Sequence, residues 1–277
     1  MVGMTSNATN MTHAGIKAAF FDIDGTLLSF TTHEAPTSTV EALRALRANG
    51  VRLFIATGRP ISQVGKALVT IPIEFDGIMA MNGQYCQDGD GVFHEETLDP
   101  DDVAAMVALL KREPDLTCNF VEKDHSYFSS LNDTARGMWA SLGKSVPDVP
   151  EDDPAVRTLT HPVFQMSLYI PESAEPKYMP LFPHCKAVRW HPVFNDIIPA
   201  DGGKPAGMRH FLDRYGLTRE QSVAFGDGGN DADMLAYAGV GVAMGNGTPS
   251  AKAAADWVTD DVDHDGIANA CRRLGLA

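Results

Sequence analysis

The chain has 277 residues, enough for one large or two moderate domains, with the composition of an ordinary globular protein. Its 22 basic and 36 acidic residues leave a net charge of −14, which excludes the basic footprint of a nucleic-acid binder. No run is long and apolar enough to span a bilayer, and four cysteines without a Cys-x-x-Cys pair suit free thiols in a reducing cytoplasm better than zinc or disulfides.

Met1 to Gly15 is rich in Ser, Thr and Asn and lacks the apolar centre of a signal peptide, so residues 1–15 read as a mobile tail. Ile16 to Phe21 is a short apolar run that suits a buried parallel strand. Thr37 or Ser38 is expected to cap a helix with Val40, Leu43 and Leu46 on one face, stopped at Gly50. Val51 to Ala56 is a second strand, Pro60 opens a helix through Val69, and Gly77 to Met81 is a third strand. Alternating strands and helices imply a doubly wound, Rossmann-like α/β sheet.

The pattern changes over residues 85–194. Tyr85–Cys86 and Val92–His94 flank Gln-Asp-Gly-Asp-Gly, a hairpin turn. A helix from Asp99 to Lys111, strands at Leu116 to Val121 and Ser126 to Ser130, a helix near 132–142 and strands at Val163 to Ile170 and Lys186 to His191 predict an inserted α+β layer. Lys144 to Pro154 reads as loop. The first pattern resumes over 195–277 and completes the core begun over 16–84. Its elements are a helix from Lys204 to Tyr215, a strand at Ser222 to Phe225, a helix at Asp231 to Ala238, a strand at Val240 to Met244 and two closing helices.

Four sets of chemically distinctive residues punctuate these elements. They are Asp22-Ile23-Asp24-Gly25-Thr26-Leu27, Ala56-Thr57-Gly58-Arg59, Lys204, and Gly226-Asp227-Gly228-Gly229-Asn230-Asp231. Each set closes or follows a predicted strand, and ligands of doubly wound sheets collect at strand carboxyl ends. The sets should therefore converge on one edge. An acidic protein repels phosphorylated molecules at long range, so a phosphate site here must be locally positive through Lys204, Arg59, backbone N–H groups and a metal ion.

With its leading Phe20-Phe21, the first set resembles the first motif of the haloacid dehalogenase superfamily, and Gly226 to Asp231 resembles the fourth. Met244-Gly245-Asn246-Gly247 and Val258-Thr259-Asp260 with Asp265-Gly266-Ile267 are similar to the tail of its Cof-type, subfamily IIB branch, whose C2-type cap occupies the place of residues 85–194. Asp24 separates the chain from the dehalogenases, which lack an acid there. The resemblance implies a phosphatase in which Asp22 is the nucleophile and Asp24 the acid, then the base. It also implies Mg²⁺ held by Asp22, the Asp24 carbonyl and Asp227, with Asp231 acting directly or through water. Mg²⁺ favours such oxygen ligands. Thr57, the Gly58 N–H and Lys204 would hold phosphate oxygens; Arg59, Asn82 and Asn230 are further candidates for phosphate, substrate or cap-junction contacts.

The expected partner is a small phosphorylated metabolite, with sugar phosphates, phosphorylated vitamins such as pyridoxal phosphate and nucleotides all open. The default assembly is a monomer, since no long amphipathic stripe is left uncovered, and a dimer is the alternative. A phosphohexomutase of the same cap class would need a second, basic phosphate site in the cap, where no basic cluster stands out. A receiver-like, non-catalytic switch would lack both the insertion and Asp24. The acidic runs Asp99-Asp101-Asp102 and Asp260-Asp261-Asp263 suit helix starts, and Glu151-Asp152-Asp153 a solvated loop. His161 and His191 are weaker substrate-contact candidates, and Trp139 and Trp190 suit a core.

Overall fold

A computed structural model describes residues 15–141 and 149–277; the expected tail as far as residue 14 and the first part of the expected loop, residues 144–148, lie outside the described residues. In chain order the first half comprises β1 (Ala18–Phe21), α1 (Thr37–Ala48), β2 (Arg52–Ala56), α2 (Ile61–Ala67), β3 (Gly77–Ala80), β4 (Tyr85–Asp88), β5 (Gly91–Glu95), α3 (Pro100–Arg112), β6 (Cys118–Val121), β7 (Ser126–Phe128) and α4 (Asp133–Ser141). The second comprises α5 (Pro154–Arg157), β8 (Gln165–Leu168), α6 (Glu175–Tyr178), β9 (Cys185–His191), β10 (Phe194–Pro199), α7 (Lys204–Tyr215), β11 (Ser222–Gly226), α8 (Ala232–Tyr237), β12 (Val240–Ala243), α9 (Pro249–Ala254), β13 (Trp257–Val258) and α10 (Gly266–Leu274).

Two sheets carry the molecule. The first has eight strands in the order β13-β12-β11-β1-β2-β3-β4-β5, parallel from β13 to β3. Beyond Arg52 and Ser222 at their starts, its central strands β1, β2 and β11 are apolar because helices cover both faces. The pleat sends Phe21, Ile55 and Phe225 to one face, against Leu43 and Leu46 of α1 and Ile267 and Leu274 of α10. Phe20, Phe54 and Ala224 go to the other, against Met208 and Phe211 of α7 and Met234 of α8. Phe54 stacks on Phe20 at 4.9 Å and meets Phe211 at 4.7 Å between ring centroids.

The second sheet has five antiparallel strands in the order β7-β6-β8-β10-β9. Cys118, Phe120, Met166, Leu168 and Ile197 face Met106 and Leu109 of α3. The pleat therefore turns Asn119, Gln165, Ser167 and Asp196 the other way, toward the carboxyl edge of the first sheet. No helix among the described residues is long and apolar enough to cross a membrane.

Several elements depart from the sequence reading. The hairpin of β4 and β5, expected in the inserted layer, extends the first sheet, β4 lying antiparallel to β3. Met81, Asn82 and Gly83 all have positive φ, at 51°, 54° and 106°, and this short reversal leaves the chain no route except back along β3. Residues 195–199, expected to resume the first layer, form β10 of the second sheet, because the turn after His191 folds the chain back onto β9. Thr37 opens α1 without a side-chain cap, and Asp153, expected in a solvated loop, caps α5 by accepting from Ala155 N.

Candidate active site

β1, β2, β3 and β11 end at one edge of the first sheet, so Asp22, Thr57, Asn82 and Asp227 meet although as many as 205 positions separate them in the chain. Gly25 makes the approach between the first and last of these sets possible. Its φ is +84°, and a Cβ there would lie 2.3 Å from Asp227 Oδ2. The Thr26 hydroxyl next to it donates to Asp227 Oδ1 at 2.9 Å.

Lys204 is 1 % exposed at the first turn of α7, where Pro205 follows it. Its ammonium donates to Asp22 Oδ1 at 2.6 Å and to Asp231 Oδ1 at 2.5 Å. Asp231 Oδ2 accepts from the backbone N–H groups of Asp227 and Gly228 at 2.9 and 2.8 Å. One carboxylate thus orients both the lysine and the loop that carries Asp227.

Asp22, Asp227 and Asp231 offer oxygens within 4.8 Å of one another, a donor set suited to a hard cation. Burial and the neighbouring Asp231 and Asp24 push Asp22 up to about 7 against the pull of Lys204. Burial, Asp22 and Asp231 likewise lift Asp227 well above the usual carboxylate range. Burial alone would favour neutral Lys204, but Asp22 and Asp231 outweigh it and raise its pKa. One ammonium among three buried carboxylates leaves negative charge that a divalent cation would neutralise.

Asp24 is half-buried and receives Arg59 through both Nε and Nη2, each at 2.7 Å. Arg59, expected at phosphate or substrate, thus also holds an acid of the site. Thr57 is buried and its Oγ1 accepts from Arg59 N at 3.1 Å. Asn230 Nδ2 donates to Asn82 Oδ1 at 3.1 Å, and Asn82 Nδ2 reaches Gln165 and Asp196 of the second sheet at 3.0 and 3.2 Å. Asn82 therefore stands at the junction of the two sheets.

Above this edge lies a cavity of about 480 Å³ lined by both layers. Asp22, Asp24, Thr57, Gly58, Arg59, Asp227 and Asn230 line it, whereas Lys204, Asn82 and Asp231 lie behind its surface. The sequence reading missed Asn119, Gln165, Ser167, Tyr169, Phe194 and Asp196 on the wall. The polar-apolar alternation of Gln165-Met166-Ser167-Leu168 was the available signal. Trp139 and Trp190 pack, as expected, against a small core that includes Phe128, Tyr169 and Phe194, and they also line the cavity, as does His191; His161 is exposed, bonded to Thr160 and the Arg157 carbonyl. The second sheet sits close: a Cβ on Gly229 would lie 2.3 Å from the Arg189 carbonyl of β9.

A model of the haloacid dehalogenase-like hydrolases matches residues 19–271. YkrA of Bacillus subtilis, named as a candidate phosphatase, is 34 % identical over 267 residues, covering 94 % of this chain and 98 % of that protein. The 5-amino-6-(5-phospho-D-ribitylamino)uracil phosphatase YitU of Bacillus subtilis is 29 % identical, covering 89 % and 93 %. Among solved structures, the HAD subclass IIB sugar phosphatase BT4131 superposes with a TM-score of 0.85 at 36 % identity, over 94 % of this chain and all of that one.

Proposed function

This chain belongs to the haloacid dehalogenase-like hydrolase family and is a phosphoric monoester hydrolase; we propose that it hydrolyses a small phosphorylated metabolite, a sugar phosphate or similar ester, through an aspartyl-phosphate with Mg²⁺ bound. The buried cluster of Lys204 with Asp22, Asp227 and Asp231, beneath a cavity that both sheets close, carries this reading. The names of a sugar phosphatase and of a phosphatase of a phosphoribityl compound among its relatives point the same way.

Asp22 supplies the attacking oxygen. Its carboxylate bonds to phosphorus as the ester P–O bond breaks, so the difficult displacement is split into two steps. Asp24, two residues on, gives its proton to the leaving alcohol. It then takes a proton from the water that attacks the phosphorus of the acyl phosphate, which releases inorganic phosphate and frees Asp22. Arg59 orients Asp24 between these roles. Thr57 and the Gly58 N–H hold the non-bridging oxygens, and Lys204 adds fixed positive charge from behind Asp22, where preset groups in a water-poor site stabilise developing charge.

The oxygen-only triad fits Mg²⁺, which Asp22, Asp227 and the Asp24 carbonyl would hold, with Asp231 acting directly or through water. The ion would shield the carboxylate of Asp22 from the phosphate dianion. The second sheet, β6 to β10 with the helices that cover it, acts as a cap that excludes water and selects the leaving group.

Phosphate release from a panel of esters, with Mg²⁺ and with EDTA, for wild type and Asp22→Asn tests the proposal. Metal-dependent release that disappears in the variant is expected. Appreciable residual turnover in Asp22→Asn would remove Asp22 as nucleophile.

A further inference from the structure

The wall of the cavity that faces the leaving group has a different charge pattern from its floor. Asp196 of β10 lines it and is 2 % exposed. The hydrogen-bond donors to its carboxylate are neutral: the Ser167 hydroxyl at 2.7 Å and Asn82 Nδ2 at 3.2 Å. Among the described residues, none forms an ion pair with it. Lys204 is bonded to Asp22 and Asp231. Arg189, on the adjacent β9, is held by Glu175 and by the carbonyls of Ile170, His191, Pro192 and Phe194.

A buried carboxylate without a bonded cation is costly, and burial lifts Asp196 to about 6 against the pull of its two donors and of the nearby charges of Lys204 and Arg189. A value of about 6 puts pH 8 on its ionised side. Asn119, Gln165 and Ser167 complete this polar strip with neutral groups, beside the rings of Tyr169 and Phe194. Of the described residues lining the cavity, Arg59 is the one Lys or Arg, and it faces Asp24 on the floor. Among the described residues, the leaving-group half of the cavity thus offers neutral hydrogen-bonding groups and one carboxylate.

We propose that Asp196 is a charge filter for the leaving group: it accepts hydrogen bonds from the hydroxyls of a neutral polyol and rejects esters whose alcohol carries a second phosphate or a carboxylate. The inference rests on the phosphatase reading above. A hydroxyl satisfies the Asp196 carboxylate, whereas a second anion brings acceptors to acceptors and like charge to like charge in a desolvated site. Such mismatch costs more than a missing contact, because both partners stay unpaired.

The test is kcat/KM at pH 8 with saturating Mg²⁺ for glucose 6-phosphate, glucosamine 6-phosphate and glucose 1,6-bisphosphate. Wild type should prefer glucose 6-phosphate over the bisphosphate by about tenfold or more, and should not discriminate against the amino sugar. Asp196→Asn should narrow the gap to the bisphosphate by about fivefold or more while weakening KM for glucose 6-phosphate. Asn119→Lys places a cation on the same strip and should narrow the gap even if Asp196→Asn fails to fold. Equal wild-type rates on mono- and bisphosphate, or a gap that neither folded variant narrows, would overturn the filter and leave the phosphatase reading standing. Silence from every ester would overturn both.

Discussion

The floor of the cavity is dense in charge, whereas its wall sets one carboxylate, Asp196, among neutral polar groups and rings. On the floor, three buried carboxylates surround one ammonium, and the Asp24–Arg59 pair stands beside them. On the wall, Asn119, Gln165, Ser167 and Asp196 alternate along strands whose other face is apolar. A floor that must handle the same phosphoryl group in every turnover gains from fixed charges that need no reorganisation. A wall that reads the variable part of a substrate gains from hydrogen bonds and shape. Substitutions on the floor should therefore lower turnover for all esters, and substitutions on the wall should reorder them.

The largest effect is expected from Asp22→Asn, which should lower phosphate release by about a thousandfold or more on every ester, since no other group replaces the nucleophile. Lys204→Met should come next, as it leaves buried carboxylates without their ammonium. Turnover should fall by about a hundredfold or more. The folded state should lose about 3–5 kcal/mol, read as a lower Tm that Mg²⁺ partly restores. Asp24→Asn should slow turnover by about a hundredfold and accumulate phosphoenzyme on Asp22 if the second step suffers more. Label on any other residue in an acid quench would contradict the scheme.

Smaller effects probe how the wall sits on the floor. Gly229→Ala would push a Cβ into the Arg189 carbonyl, so β9 must back away. We expect a severalfold loss in kcat/KM, whereas Gly65→Ala on α2, where a Cβ meets nothing within 4 Å, should change little. The smallest effect is a pH-dependent shift in Tm. Asp22, lifted to about 7, and Asp227, lifted further above its usual value, bind protons more tightly folded than unfolded. Their contribution to stability is therefore full below about pH 4 and falls as pH rises toward 7. Mg²⁺ should raise Tm more at pH 7.5 than at pH 5; equal shifts would argue against cation binding at these carboxylates.

Much of the floor was legible in the chain because most of its components sit where a strand ends. Asp22 follows β1, Thr57 follows β2 and Asp227 follows β11, and parallel strands must present these ends at one edge. Arg59 was legible as a site residue but not as the partner of Asp24, since an ion pair across 35 positions depends on the relative placement of two loops. The wall was largely illegible. Its residues alternate with core residues on short strands, and Gln165 or Ser167 could equally have faced solvent.

What the sequence by itself determined is the parallel sheet, the inserted second layer and the charged sets at strand ends, because hydrophobic period and Gly-punctuated turns are local properties of the chain. The tertiary structure decided which layer the Tyr85–Glu95 hairpin and β10 joined, and which face of the second sheet looked down on Asp22. Those outcomes depend on strand pairing and on how closely Gly229 lets β9 approach. Both are contacts between segments far apart in the chain, and no local pattern encodes them.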